Sequence, residues 1–235
     1  MKKKILVLLF FILQLSCFHN VVTLADSPKN YLKGKFYNSV QNHFLIATEK
    51  MEDSRFKKTV IVIFESDEKG AWGLTINKPL GSLPLNLLID TSLDSEKKES
   101  EEFYKVKIPV FWGGPVDKNK IFILHSNEYK NDSTTNFGKI SLSNNYQVLY
   151  DIVKNKGPKK SLVIMGYSGW GSGQLEGEME MNHWILSKVD LDIIFDEETE
   201  KKWNKAFKNS FIKICLKNYL INAWLGLDIN MLNLF

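Results

Sequence analysis

The stretch SLVIMGYSGWGSGQLEGEMEMNHW, residues 161–184, contains the arrangement nearest to a reactive centre. An apolar run, Leu162-Val163-Ile164-Met165, leads into Gly166-Tyr167-Ser168-Gly169-Trp170, then Gly171, Gly173 and a segment of helical character. Strand, glycine-rich turn with a serine, and helix form the setting of a hydrolase nucleophile elbow or of a phosphate-binding loop. Neither fits in detail. An elbow needs glycine two places after the serine, so that strand and helix can approach around it, and Trp170 stands there. A triad in that setting also needs an acid and then a histidine on later elements, but His183 follows fifteen residues on, at the end of the very next helix. A phosphate loop fails because no Gly-Lys-Ser/Thr ending is present and the place of a third glycine is taken by Glu176. With Glu178 and Glu180 it puts negative charge where a phosphate would sit. The stretch reads as a tight turn whose glycines permit close packing, followed by a helix whose start is stabilised by acids.

The remaining reactive types are scattered. His19, His43, His125 and His183 show no metal-ligand spacing, and the cysteines are Cys17 and Cys215 alone. No cofactor and no metal is expected. His125, at a strand end, reads as a hydrogen-bonded structural residue. Lys78, between Asn77 and Pro79, is the cation of most interest: it could bind an anion, and the favoured reading is that it bonds the carbonyls of its own turn.

The elements that position these residues follow from periodicity. Thr59-Val60-Ile61-Val62-Ile63-Phe64 is a nearly continuous β-branched run and predicts a buried strand. Gly70 turns the chain into a partner strand, Ala71–Asn77, ended by Pro79. Ser82 is placed to cap a short helix through Ile89. Residues 91–105 form a charged run, read as a solvated insertion. Lys107–Trp112 and Ile121–His125 predict strands, and Lys139–Leu142 alternates as an edge strand would. Tyr146, Leu149, Tyr150 and Val153 share one helix face, opened by Asn144 or Asn145 and closed by Gly157-Pro158. Trp203, Ala206, Phe207, Ser210, Phe211 and Ile214 share another. The irregular alternation predicts a mixed α/β (α+β) domain.

The first 25 residues are of a different kind. Met1-Lys2-Lys3-Lys4 is a basic n-region, Ile5–Leu15 is apolar, and Thr23-Leu24-Ala25 offers small residues for cleavage before Asp26. This pattern predicts a signal peptide over 1–25 and a loosely ordered lead-in over 26–40. Of the formal charge of +4, the three leader lysines supply +3, so the mature chain is near +1. Arg55 is the sole arginine. Nucleic-acid modules carry a basic excess and lean on arginine, so the composition disfavours a nucleic-acid partner.

Several blocks, taken in order, resemble the YqgE/AlgH family of bacterial proteins. They are Asn42–Ala47 with Phe56 and Val60; Gly70-Ala71-Trp72-Gly73-Leu74-Thr75-Ile76-Asn77-Lys78-Pro79, against a family G-x-x-G-x-x-x-N-K-P; and Gly113-Gly114-Pro115-Val116. Phe122–Ser126, Gly166–Trp170, Gly173–Glu176 and Asn182-His183-Trp184 complete the set, which spans about residues 41–207. The resemblance implies a single domain over 41–235 with a strongly bent or barrel-like mixed sheet surrounded by helices. It also implies tolerance of alanine at Ser168, and it brings no catalytic residue, cofactor or substrate. Some members carry a transcriptional-regulator label. Family members usually start near the His43 block, so the leader is a departure, as is a longer helical segment at about 208–225.

The expectation is an exported binding or interaction protein, periplasmic or secreted, with a protein or small-molecule partner in the envelope. Membrane contact is expected only if the leader is retained. The alternatives are a cytoplasmic regulator touching DNA, supported by a basic helix (Lys201, Lys202, Lys205, Lys208, Lys213, Lys217), and an enzyme of unknown class. The candidate binding surface is where the turns after three strands would converge: Asn77, Lys78, Gly113, Gly114, Tyr167 and Trp170.

Overall fold

The computed structural model describes residues 40–89 and 100–210. The leader, the lead-in before residue 40, residues 90–99 of the charged run and the segment beyond 210 lie outside the described residues. The strands are β1 His43–Ala47, β2 Val60–Asp67, β3 Gly70–Thr75, β4 Pro79–Pro84, β5 Lys107–Trp112, β6 Val116–Ser126, β7 Thr134–Phe137, β8 Ile140–Ser143, β9 Ser161–Gly171 and β10 Trp184–Lys188. The helices are α1 Glu101–Tyr104, α2 Gln147–Val153, α3 Gln174–Glu180, α4 Leu191–Ile194 and α5 over 201–210.

Among the described residues the ten strands make one sheet, ordered β10-β1-β2-β3-β9-β6-β8-β7, with β5 also pairing β9 and carrying β4 on its far edge. The central strands are apolar on both faces, and the sheet curls so that both of their faces are covered. On the inner face Phe44, Ile46, Val60, Val62, Phe64, Leu74, Leu162 and Ile164 form one cluster, closed by Ile193, Ile194, Trp203 and Ala206 of α4 and α5. On the outer face Leu45, Ile61, Ile63 and Trp170 pack under Leu175 and Met179 of α3. Val110, Ile123 and Val163 pack under Val148, Leu149 and Tyr150 of α2. The chain is a single mixed α/β domain around a half-barrel-like sheet.

Four local expectations need correcting. The segment from Ser82 is not a helix: Pro79–Pro84 is an exposed strand, and a single 3₁₀ turn, Leu85–Leu87, follows it. A strand exposed on both faces has no apolar period to announce it. The alternating segment near Ile140 is interior, and β7 is the edge beyond it. Gly166–Gly171 is not a turn but the second half of the eleven-residue β9. Lys202 does not stand exposed on the basic helix, because it is fully buried.

Strand β9 is shared in an unusual way. Its first half pairs with β5 in parallel, Val110 to Val163 through Trp112 to Met165. Its second half pairs with β3 antiparallel, Gly73 to Ser168 through Gly70 to Gly171. The C-terminal ends of β3 and β5 therefore meet head-on along one edge, opposite Gly166. The other edge belongs to β6, which pairs Ile121 to Met165 and Val116 to Tyr167. Gly113-Gly114-Pro115 must then carry the chain from one edge of β9 to the other across its backbone. The fit leaves no room for side chains. A Cβ on Gly114 would lie 2.1 Å from the carbonyl carbon of Tyr167, and one on Gly113 would lie 2.1 Å from the Gly166 oxygen.

Gly114→Ala is therefore expected to lower unfolding stability by at least about 3 kcal/mol, since backbone cannot move aside as a side chain can. Gly138→Ala is the control: its φ is +79°, but nothing lies within 4 Å of its Cβ position, so about 1 kcal/mol is expected. Urea titrations of both variants check the contrast, and equal losses would refute the crossing as the cause.

Candidate functional site

The backbones of the three expected segments meet at this crossing. The Thr75 amide donates to the Gly113 carbonyl at 3.0 Å, the Trp112 amide to the Lys78 carbonyl at 2.8 Å, and the Gly113 amide to the Met165 carbonyl at 2.8 Å. Their side chains do not share one face. Gly113 and Gly114 are buried, and Tyr167 enters the inner cluster edge-on to Trp72 and Phe122. Trp170 points to the opposite face, where its Nε1 donates to the Glu178 carboxylate at 2.9 Å. Trp184 donates to the same oxygen at 2.7 Å. Glu178 thus faces two indoles, and Glu176 alone stands in the first turn of α3.

Asn77 and Lys78 form a clamp. Asn77 is buried; its Oδ1 accepts the Val60 amide at 2.8 Å and its Nδ2 donates to the Lys58 carbonyl at 2.8 Å. Lys78 Nζ donates to the Lys57 carbonyl at 2.8 Å. It therefore bonds the β1–β2 connection, not its own turn as expected. Its half-burial pushes the ammonium below the ordinary lysine range.

The serine of the opening stretch is 1% exposed, and its Oγ donates to the Gly113 carbonyl at 2.9 Å. A hydroxyl donating to a carbonyl at a buried crossing is a structural pin. His125 is also buried, with Nδ1 at 2.9 Å from the Ser126 carbonyl and Nε2 at 3.0 Å from Ser143 Oγ. With Nδ1–H donating to the carbonyl, Nε2 accepts the Ser143 hydroxyl, and burial pushes this imidazole's pKa down. Among the described residues no three His, Cys, Asp or Glu side chains gather as a metal site. A cavity of about 210 Å³ lies away from the crossing, lined by Ile121, Ile123 and Leu149 with Asn119, Asn144 and Tyr146.

The residue that sequence reasoning missed is Lys202. It is 0% exposed, donates to the Ile194 carbonyl at 2.7 Å and to the Ile76 carbonyl at 3.1 Å, and lies over the Phe111 ring. It ties α5 to the end of α4 and to the residue before Asn77. A signal existed, since Lys202 stands beside Trp203 and four places before Ala206, on the apolar stripe of the helix. Desolvation brings its pKa down to about 8, partly countered by Asp196.

An AlgH-like family model matches residues 44–214. A UPF0301 protein of Shewanella sp. strain ANA-3 is 38% identical over 169 residues, covering 72% of this chain and 89% of that protein. One from Pseudoalteromonas translucida is 37% identical over 169 residues, with the same coverage of 72% and 89%. The solution structure of the AlgH protein from Pseudomonas aeruginosa superimposes with a TM-score of 0.60 at 36% identity, covering 72% of this chain and 87% of that one. A crystal structure of a protein from Corynebacterium diphtheriae shares the fold at a TM-score of 0.52 and 15% identity, over 72% of this chain and 90% of that one.

Lys202 makes stability depend on pH with a definite sign. Its folded pKa of about 8 lies below the ordinary 10.5. Between these values the unfolded chain holds a proton that the folded chain lacks, so stability rises with pH across that window, by up to about 3 kcal/mol. Melting curves from pH 8 to 10 should show this rise in the parent protein and lose most of it in Lys202→Met. Equal slopes would mean that the buried amine is not the titrating group.

Proposed function

The chain belongs to the AlgH-like family, and from that premise we propose that it works by non-covalent binding outside the cytoplasm. The observation that carries the binding reading is the state of Ser168. The one serine in a setting like a nucleophile's is buried and spends its hydrogen on the Gly113 carbonyl. Nucleophilic catalysis needs a hydroxyl that a base can reach and a substrate can approach. His125 is likewise enclosed by its own hydrogen bonds. The crossing framed by Asn77, Lys78, Gly113, Gly114, Tyr167 and Trp170 is proposed as a rigid support for a binding surface, since a rigid scaffold lowers the ordering cost of association.

Export rests on the leader: three lysines, an apolar stretch and small residues before Asp26. The family match begins at residue 44 and leaves this segment outside it. The rival reading, a cytoplasmic regulator on DNA, keeps Lys201, Lys205 and Lys208 exposed on its basic helix but loses Lys202 to the core. Lys202 is buried, Lys201 pairs with Glu198, and Lys205 pairs with Asp196. Lys213 and Lys217 lie outside the described residues.

Fractionation of native cells followed by intact mass, with and without a fluorophosphonate probe, tests both parts. The expected result is a periplasmic chain starting at Asp26 that gains no probe mass. A full-length cytoplasmic chain would overturn export, and a probe adduct on Ser168 would overturn the binding reading.

A further inference from the structure

His125 is 0% exposed, yet a file of hydroxyl groups leads away from it across three strands. Its Nε2 lies 3.0 Å from Ser143 Oγ on β8, and that oxygen lies 2.8 Å from Thr134 Oγ1 on the edge strand β7. Thr134 Oγ1 in turn lies 2.9 Å from Oδ1 of Asn131, in the β6–β7 connection. Ser143 is 1% exposed, whereas Thr134 and Asn131 are half-buried. The file therefore runs from the interior to the margin of the sheet.

Counting donors fixes where each hydrogen lies. Nδ1 faces the Ser126 carbonyl at 2.9 Å, so it carries a hydrogen in either charge state. In the neutral ring Nε2 is a bare acceptor and takes the Ser143 hydrogen. Thr134 must then donate to Ser143, since otherwise two oxygens would meet lone pair to lone pair at 2.8 Å. In the charged ring Nε2 donates to Ser143, Ser143 donates to Thr134, and Thr134 donates to Asn131 Oδ1. Both states are fully bonded because the file has an acceptor at each end.

We propose that His125, Ser143, Thr134 and Asn131 form a reversible proton relay, a pH-sensitive switch that charges the buried imidazole in place and turns the Thr134 hydroxyl onto the β6–β7 connection. The proton comes from solvent. Thr134 Oγ1 binds it and passes its own hydrogen to Ser143, and Ser143 passes its own to Nε2. Each oxygen keeps one hydrogen and the ring gains one. Asn131 Oδ1 already accepts the Ser133 amide at 3.0 Å and the Ser133 hydroxyl at 2.9 Å, so acid adds a third donor to that turn.

The charges around the ring set its working range. Burial opposes the cation, and Glu128 on the β6–β7 connection favours it. Tyr129 lies edge-on to the imidazole at 5.6 Å and donates its hydroxyl to Asp151 of α2. With its own pKa pushed up to about 12, this tyrosine stays neutral. Lys159 and Lys160, before β9, meet Glu128 and Ser126 through their main chains. Strands β7 and β8 carry no charged residue, and Asp132 and Lys139 on the adjoining turns are exposed.

Nitrogen-15 NMR of the His125 ring and the Asn131 side-chain amide, from pH 8 to pH 4, tests the relay without depending on the binding reading above. The neutral ring should carry its hydrogen on Nδ1 and titrate below 6.5 with the protein folded. The Asn131 amide should shift with the same midpoint. Thr134→Val does not touch the ring but leaves the Ser143 hydrogen without an acceptor in the charged state, so the acid dissociation constant of His125 should rise about tenfold. Thr134→Ser should restore the parent value. Stability should fall with pH below 6.5, since the unfolded chain takes up the proton first, and should fall further in Thr134→Val. A hydrogen on Nε2 in the neutral ring, an Asn131 amide indifferent to the titration, or an unchanged constant in Thr134→Val would overturn the proposal. So would an equal loss of stability in that variant at pH 8 and pH 5, the mark of a merely structural hydroxyl.

Discussion

The structure depends on one steric constraint, the passage of Gly113-Gly114-Pro115 over the backbone of β9. Two strands end head-on along the same edge of β9, and the chain leaving one of them must reach the opposite edge within three residues. Backbone has to lie on backbone, which excludes a Cβ at the contact points. Once the passage is made, the sheet cannot remain flat. It changes partner along β9 at Gly166, curls, and encloses the inner cluster between its concave face and helices α4 and α5. The glycine-rich stretch that looks like a reactive turn is the other half of the same contact. Ser168 is in it to hold the Gly113 carbonyl.

The legible parts of this fold are those whose cause is local. Val60–Phe64 and Leu162–Met165 are read as buried strands because β-branched runs covered on both faces leave a continuous apolar trace. The α2 face is read from Tyr146, Leu149 and Tyr150 because helical spacing survives in sequence. The second half of β9 is not legible. Its glycines look like turn residues, and the reason they are strand residues lies in β3 and β5, far away along the chain. Exposed β4 escapes for the opposite reason, having no buried face to impose a period. At the site, two of the three segments are strand ends, those of β3 and β5, and they meet at the middle of β9, where the sequence suggested a turn. The facing of Tyr167 and Trp170 into different clusters follows from strand alternation, which applies only once 166–171 is known to be extended.

The lysines show why charge type alone misleads. Lys78 and Lys202 both end on main-chain carbonyls. A long flexible stem with three donors at its tip can satisfy oxygens that no backbone amide reaches, and it carries its own apolar length into the core. The two lysines act on neighbouring links of one chain segment: Lys202 holds the Ile76 carbonyl, Asn77 and Lys78 hold the 57–58 turn, and the Lys78 carbonyl holds Trp112. Helix α5, the clamp and the crossing are therefore joined by one run of hydrogen bonds.

Such continuity has a consequence for function. A reactive site needs a group that is reachable and partly unsatisfied, since its reactivity is the bond it has not yet made. At the crossing those requirements conflict with stability. An unsatisfied hydroxyl or amine under two layers of backbone costs about 1–3 kcal/mol; Ser168, Asn77 and Lys202 avoid that cost by bonding carbonyls and amides, whereas Thr75 Oγ1, buried beside them, makes no such bond.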